Sequence, residues 1–312
     1  LGVGSDAADF TNLCRRLLAE IAHETGEEFD WNTEPTKILK MLPEWIARAG
    51  VHAERNGKTW LLVWDAIDKI PSPQDLRWLP RFLPRGVKLV VSALDCEGAR
   101  FIQNHLGMQE ISVQSLGAPQ KRDLIEKHLI KYRKSLSPSR VERVVAHSLS
   151  GNPLFLVTLL EELRVFGVHE ELDRRLDFYL SADSMDDLFE CVLERVEADV
   201  SRDKVGAALE AIWASRSGLF EDELLSISGL PPAAWATIRA ALDLGFMQGA
   251  GRIQFAHDHF RSATKDRYIF DDEQRQRVHR KLAEWFATRR VDERTAEELP
   301  WQWRKAGDVA VI

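Results

Sequence analysis

The sequence has little cysteine, no long apolar run and no surplus of positive charge. Its three cysteines, Cys14, Cys96 and Cys191, lie far apart, with no CxxC pair and no histidine at zinc spacing. That argues against a disulfide framework or a structural metal and fits a reduced, cytoplasmic protein. No apolar stretch approaches the ~18 residues of a membrane span, and no signal peptide is visible, so no membrane partner is expected. The formal net charge is −7. Nucleic acid and anionic membrane surfaces are gripped by clustered positive charge, so neither is expected as a partner. No low-complexity tract occurs, and no repeat completes itself. The chain opens at Leu1 rather than Met, and residues 1–5 (LGVGS) have the make-up of a strand end and a turn. The expectation is a piece of a longer protein.

What is present is enough for real cores. The chain has 312 residues, 45% of them hydrophobic and 29% charged, which points to two or three domains. Residues 7–24 and 33–56 carry apolar side chains at helical spacing. Then comes Trp60-Leu61-Leu62-Val63-Trp64, ending in Asp65. The run does not alternate, which predicts a strand buried on both faces and hence a parallel sheet. Val87–Ser92 is a second such run and Gln109–Val113 a weaker third, with helical stretches at about 75–80 and 95–106 between them. Apolar strands alternating with helices predict an α/β layer. After Leu116 the strands stop, and helices are expected over 118–180 and 184–244. Gly249-Ala250-Gly251 lies between two short apolar segments, a hairpin signal. Helices followed by a small hairpin fit a winged helix. The expected divisions are 1–116, 117–183, 184–290 and a further helical or repeat region over 291–312.

Five local signals bear on chemistry. Leu61–Asp68 (LLVWDAID) has the Walker B pattern of four apolar residues followed by D-x-x-D. A strand of this kind carries its carboxylate to the sheet edge where open α/β folds place ligands. Asp65 could hold Mg²⁺, and Asp68 could orient or deprotonate an attacking water. An acidic turn after a strand is also common for purely structural reasons. Gly57-Lys58-Thr59 spells the end of a Walker A motif, but His52 stands where its first glycine belongs, and the segment runs into a strand rather than a helix. It reads as a helix-to-strand turn. Ser92, at the end of the second strand, is either a polar sensor or a helix cap. Ser150-Gly151-Asn152-Pro153 breaks one helix and starts another, with Pro153 suited to the first turn. Phe255-Ala256-His257-Asp258-His259 joins the hairpin to a helix. His257 and His259 point to different sides, which argues against a metal site. His257 reads as a hydrogen-bond donor or a cap, beside the plain reading of a helix N-terminus with Asp258 on its dipole.

The order of these signals resembles the STAND class of signal-transduction NTPases, within it the nephrocystin-type NACHT branch. The stretches LLVWDAID, LPRFLPRGVKLVVSAL, GNPLFLVTLLEELRVFG, FAHDHFRSA and ELPWQWRKAGD carry the resemblance. It implies the C-terminal part of a parallel-sheet P-loop NTPase core of AAA-like type, α/β plus mostly α, with a helical lid and a winged-helix domain, the phosphate-binding loop being missing. It implies ATP or ADP with Mg²⁺ as cofactor of the longer protein. Asp65 and Asp68 would be catalytic, with Asp65 on the metal; Ser92, Gly151, Asn152, Pro153 and His257 would bind the nucleotide. It further implies a slow ATPase, a switch between closed and open forms, homo-oligomerisation on activation and protein partners bound through C-terminal tetratricopeptide repeats. The strand after the Walker B pattern departs from many relatives by ending Ser92-Ala93-Leu94 where they have an arginine. That departure leaves room for a nucleotide-independent scaffold. A DNA-reading winged helix is the third reading, and the mixed charges of residues 257–268 count against it.

Overall fold

The computed structural model describes residues 10–69, 81–167, 169–249 and 251–308. The expected strand end at 1–5 and the helical stretch at 75–80 lie outside them. The chain divides into two compact units, Leu1–Ser112 and Val113–Ile312.

In the first unit, α1 (Phe10–Thr25) and α2 (Pro35–Arg55) precede β1 (Trp60–Trp64), β2 (Val87–Val91) and α3 (Glu97–Leu106). Cys14, Leu18, Ile21 and Ala22 recur every three or four residues on α1 and are buried against Ile38, Leu42, Trp45, Ile46 and Ala49 of α2. Such stripes make each helix amphipathic and join the pair. Gly57, at φ +62°, sits in the turn between α2 and β1. The strands pair in parallel, Leu62 opposite Leu89 and Trp64 opposite Val91. Two glycines let α2 sit close to the turn before β2. A Cβ on Gly50 would lie 2.8 Å from the Arg85 carbonyl oxygen. A Cβ on Gly86, whose φ is +76°, would lie 2.8 Å from the Gly50 carbonyl oxygen.

This unit corrects the expected fold class. The sheet has two strands among the described residues, and only one of its faces is covered. Leu62, Trp64, Val87 and Leu89 are buried, whereas Leu61 and Val63 are 59% and 62% exposed. An unbroken apolar run suggests burial on both faces, but α2 packs on one side only. The third strand does not form either. Residues 109–113 are irregular, and Ile111 and Val113 are among the most exposed apolar side chains. The many-stranded parallel sheet of a P-loop core is therefore not the architecture of the described residues.

The second unit is helical: α4 (Ala118–Ile130), α5 (Pro138–Ala146), α6 (Pro153–Val165), α7 (Leu172–Leu180), α8 (Met185–Val200), α9 (Arg202–Ala214), α10 (Glu221–Ser228) and α11 (Pro232–Ala241). A short hairpin follows, β3 (Phe246–Gly249) and β4 (Arg252–Phe255), then α12 (Asp258–Tyr268), α13 (Asp272–Ala287) and α14 (Glu293–Ala306). One apolar core runs from Ile125 on α4 through Phe155, Leu188, Leu209, Trp235 and Phe260 to Phe286 on α13. The hairpin is absorbed into it: Ile253 is buried and bridges Leu219. A Cβ on Gly245 would stand 2.2 Å from the buried Phe260 ring, so the turn into the hairpin lies directly on that ring. The expectation of a separate winged-helix domain is corrected accordingly. Its helices and hairpin share an unbroken core with the helices ahead of them, because the apolar stripes of α6, α8 and α9 face inward together.

Candidate functional site

Asp65, Asp68 and Ser92 come together where β1 and β2 end. The Ser92 hydroxyl donates to the Asp65 carboxylate and accepts from the Ala66 N–H at 3.0 Å. The backbone continues the staple: Ser92 N–H to the Trp64 carbonyl at 2.9 Å, and Ile67 N–H to the Ser92 carbonyl at 3.1 Å. Asp68 accepts from the Leu94 N–H at 3.2 Å. Ala66 has φ +57°, a left-handed conformation that costs a non-glycine residue free energy. These bonds hold that turn. Gly57-Lys58-Thr59 lies at the opposite end of β1 and forms no phosphate cradle.

Gly151, Asn152 and Pro153 build the start of α6. The Asn152 side-chain oxygen accepts from the Leu154 N–H at 2.9 Å, and Pro153 occupies the first turn. The Gly151 carbonyl accepts from the Leu116 N–H at 2.9 Å. A side-chain cap followed by proline satisfies the groups that a helix start leaves open. His257 precedes α12 without capping it, its half-buried ring stacked against Phe189 with centroids 6.5 Å apart. Burial, then the charge of neighbouring His259, lowers its pKa. His259 itself pairs with Asp186 at 2.7 Å.

The charged groups that organise the second unit were not singled out by the sequence. Glu162, on the buried side of α6, receives a two-pronged contact from Arg195 of α8, at 2.9 and 2.6 Å, and a further hydrogen bond from the Tyr179 hydroxyl. Burial, then the Glu162 charge, pushes the Tyr179 pKa up. Arg267 of α12 grips Glu197 of α8 in the same way, at 2.7 and 2.6 Å. Glu298 of α14 is fully buried and accepts from the Arg216 and Ser217 N–H groups and from Arg294. Beside it, the His279 Nδ1 lies 2.7 Å from the Gln302 side-chain oxygen, and Gln302 donates to the Ala214 carbonyl at 2.9 Å. Burial pushes His279 down to about 4. The only sequence signal was a carboxylate, Glu162, inside an apolar helical stripe. Its partners come from other helices and could not be read from spacing.

Helices α6, α7, α8 and α11 also enclose a cleft of about 1000 Å³. Phe166, Arg175, Phe189 and Arg195 line it, with Thr158 and Ala240.

No protein-family model matches the chain. It is similar to a TPR repeat-containing protein of Dictyostelium discoideum, 29% identical over 299 residues that cover 93% of this chain and 18% of that protein. It is similar to telomerase protein component 1 of Mus musculus, 26% identical over 69% of this chain and 8% of the relative. Human nephrocystin-3 matches at 21% identity over 97% of this chain and 24% of its own length. The chain thus spans a quarter or less of these relatives. Each of the three is less than 30% identical to the chain. The finer assignment to a NACHT-type STAND NTPase with an AAA-like core and a winged helix is corrected: the described residues are dominated by helices with two-stranded sheets. Among the described residues no helix is long and apolar enough to cross a membrane.

Proposed function

We propose that the chain is a protein-interaction scaffold whose contacts do not depend on nucleotide. One observation carries this reading: the similarity to a TPR repeat-containing protein extends over 93% of the chain. Stacked helical repeats present extended surfaces to protein partners, and the helical second unit suits such work. Its exposed apolar side chains, Phe270 and Val291 among them, are available for contact. The test is deletion of these residues from the protein that carries them, followed by quantitative proximity labelling. A defined set of partners should be lost. An unchanged partner set contradicts the reading.

A second reading, binding of ATP or ADP with Mg²⁺, is favoured by the convergence of Asp65, Asp68 and Ser92 at one sheet edge. One carboxylate and a hydroxyl suit a Mg²⁺ that keeps most of its waters. Against it, those carboxylates already accept hydrogen bonds within the turn, and no described segment cradles a phosphate. Gly151, Asn152, Pro153 and His257 would contribute only if nucleotide binds. Nucleotide retained on purification, and lost in Asp65→Ala, would favour this reading; a nucleotide-free protein would dismiss it.

A further inference from the structure

We infer that the cleft enclosed by α6, α7, α8 and α11 binds a peptide segment carrying a single carboxylate on an apolar body, with Arg175 as the carboxylate's partner. The inference deepens the scaffold reading and rests on it. Arg175 is held in place by aromatic rings rather than by an acid. Its guanidinium lies 5.5, 5.6 and 5.2 Å from the ring centroids of Phe166, Phe178 and Tyr179. Among the described residues it makes no ion pair and no hydrogen bond, and its Nε is buried without a partner. An arginine stacked on rings keeps its planar fork oriented and loses little freedom when a carboxylate arrives.

The other cations of the cleft are already engaged. Arg195 is committed to Glu162, and Arg164 to Glu161 at 2.6 Å. Arg175 is left as the group able to receive a new negative charge. A second observation points the same way. Thr158 lines the cleft and is buried, yet its hydroxyl has no hydrogen-bond partner. Buried polar groups left unpaired cost free energy that a ligand can recover.

The remaining wall selects the ligand class. Phe189, Val192 and Ala240 supply apolar surface, while Asp199 and Asp243 stand on the α8 and α11 sides. Those two acids repel a polyanion, so nucleic acid fits poorly. One carboxylate facing Arg175, flanked by apolar side chains, meets both walls. A volume of about 1000 Å³ is at the upper end of small-ligand sites and accommodates several residues of extended peptide.

The test is to probe the 312-residue chain against an array of immobilised random peptides, then to titrate the strongest binder by fluorescence anisotropy. The binders should be enriched in one acidic residue flanked by apolar ones. Arg175→Gln should weaken the strongest binder at least about tenfold, and Arg175→Lys by a smaller factor, because a point charge replaces the fork. Ala240→Trp, at an exposed position on α11, should block the cleft and abolish binding without disturbing the core. Circular dichroism of each variant shows whether it is folded. Binders without acidic enrichment, or binding indifferent to both Arg175→Gln and Ala240→Trp, overturn the inference while leaving the scaffold reading standing. An array with no binder also overturns it, and the scaffold reading is then judged by the deletion experiment alone.

Discussion

The two units of this chain solve the burial problem in opposite ways. The first, ending at Ser112, covers one face of a two-stranded sheet and leaves Leu61, Val63 and Val90 exposed on the other. The second buries a single core from Ile125 to Phe286 and threads it with charged clusters, each closed by partners from distant helices. Apolar surface is directionless, whereas a buried ion pair demands one geometry. The second unit thus adds to apolar burial a set of ion pairs of defined geometry.

Breaking a cluster should have the largest effect. Glu162→Ala leaves the buried Arg195 with only Asp199 at 3.5 Å and the Ala241 carbonyl at 3.2 Å and should cost about 3 kcal/mol. Hydrogen exchange should rise throughout 113–312 and stay unchanged over α1, α2 and the β1–β2 sheet. A rise in both units would show that they do not unfold separately. Acid should act on the same unit by a different route. His279 has a folded pKa of about 4 against an ordinary 6.5, so the folded state favours the neutral ring. Its contribution is complete above pH 6.5 and is lost as pH falls toward 4, a loss on the order of 2–3 kcal/mol. Exchange along α14 should therefore accelerate between those values. In His279→Gln that part of the pH dependence should be flat.

The first unit answers to backbone packing instead. Gly86→Ala adds a Cβ 2.8 Å from the Gly50 carbonyl at a left-handed φ and should destabilise 10–112 by about 1–3 kcal/mol, read by exchange in α2 and β2 alone. The smallest effect belongs to the open sheet face. Leu61→Lys should change stability by less than about 0.5 kcal/mol while reducing concentration-dependent association in sedimentation velocity. A large loss of stability there would mean that the face is packed after all.

How much of this could be read beforehand follows from range. The α1 and α2 stripes were visible because their periodicity is local, and the start of α6 because Gly151 and Asn152 break a helix and Pro153 suits the first turn of the next. The convergence of Asp65 and Ser92 could be anticipated from two apolar runs, each ending in a polar residue. The same runs misled about the sheet, because an apolar side chain announces a tendency to be covered but not what covers it. Leu61 and Val63 are apolar and exposed. The hairpin at 246–255 was legible from its glycines, yet its absorption into a shared core depends on Phe260 and Leu219, which sequence spacing does not connect. Phe178 and Tyr179 stand three and four residues after Arg175 on α7, a local spacing, but Phe166 and the cleft that Arg175 lines come from outside that helix.

The most direct measurement asks whether partner contacts need nucleotide. The protein that contains these residues would be purified, its bound nucleotide quantified, and partner capture compared in Mg²⁺-ATP, in Mg²⁺-ADP and after removal of both. The account predicts capture of the same partners with the same affinity in all three conditions, lost only when these residues are deleted. Capture that appears or disappears with nucleotide, alongside ADP retained through Asp65, would contradict it.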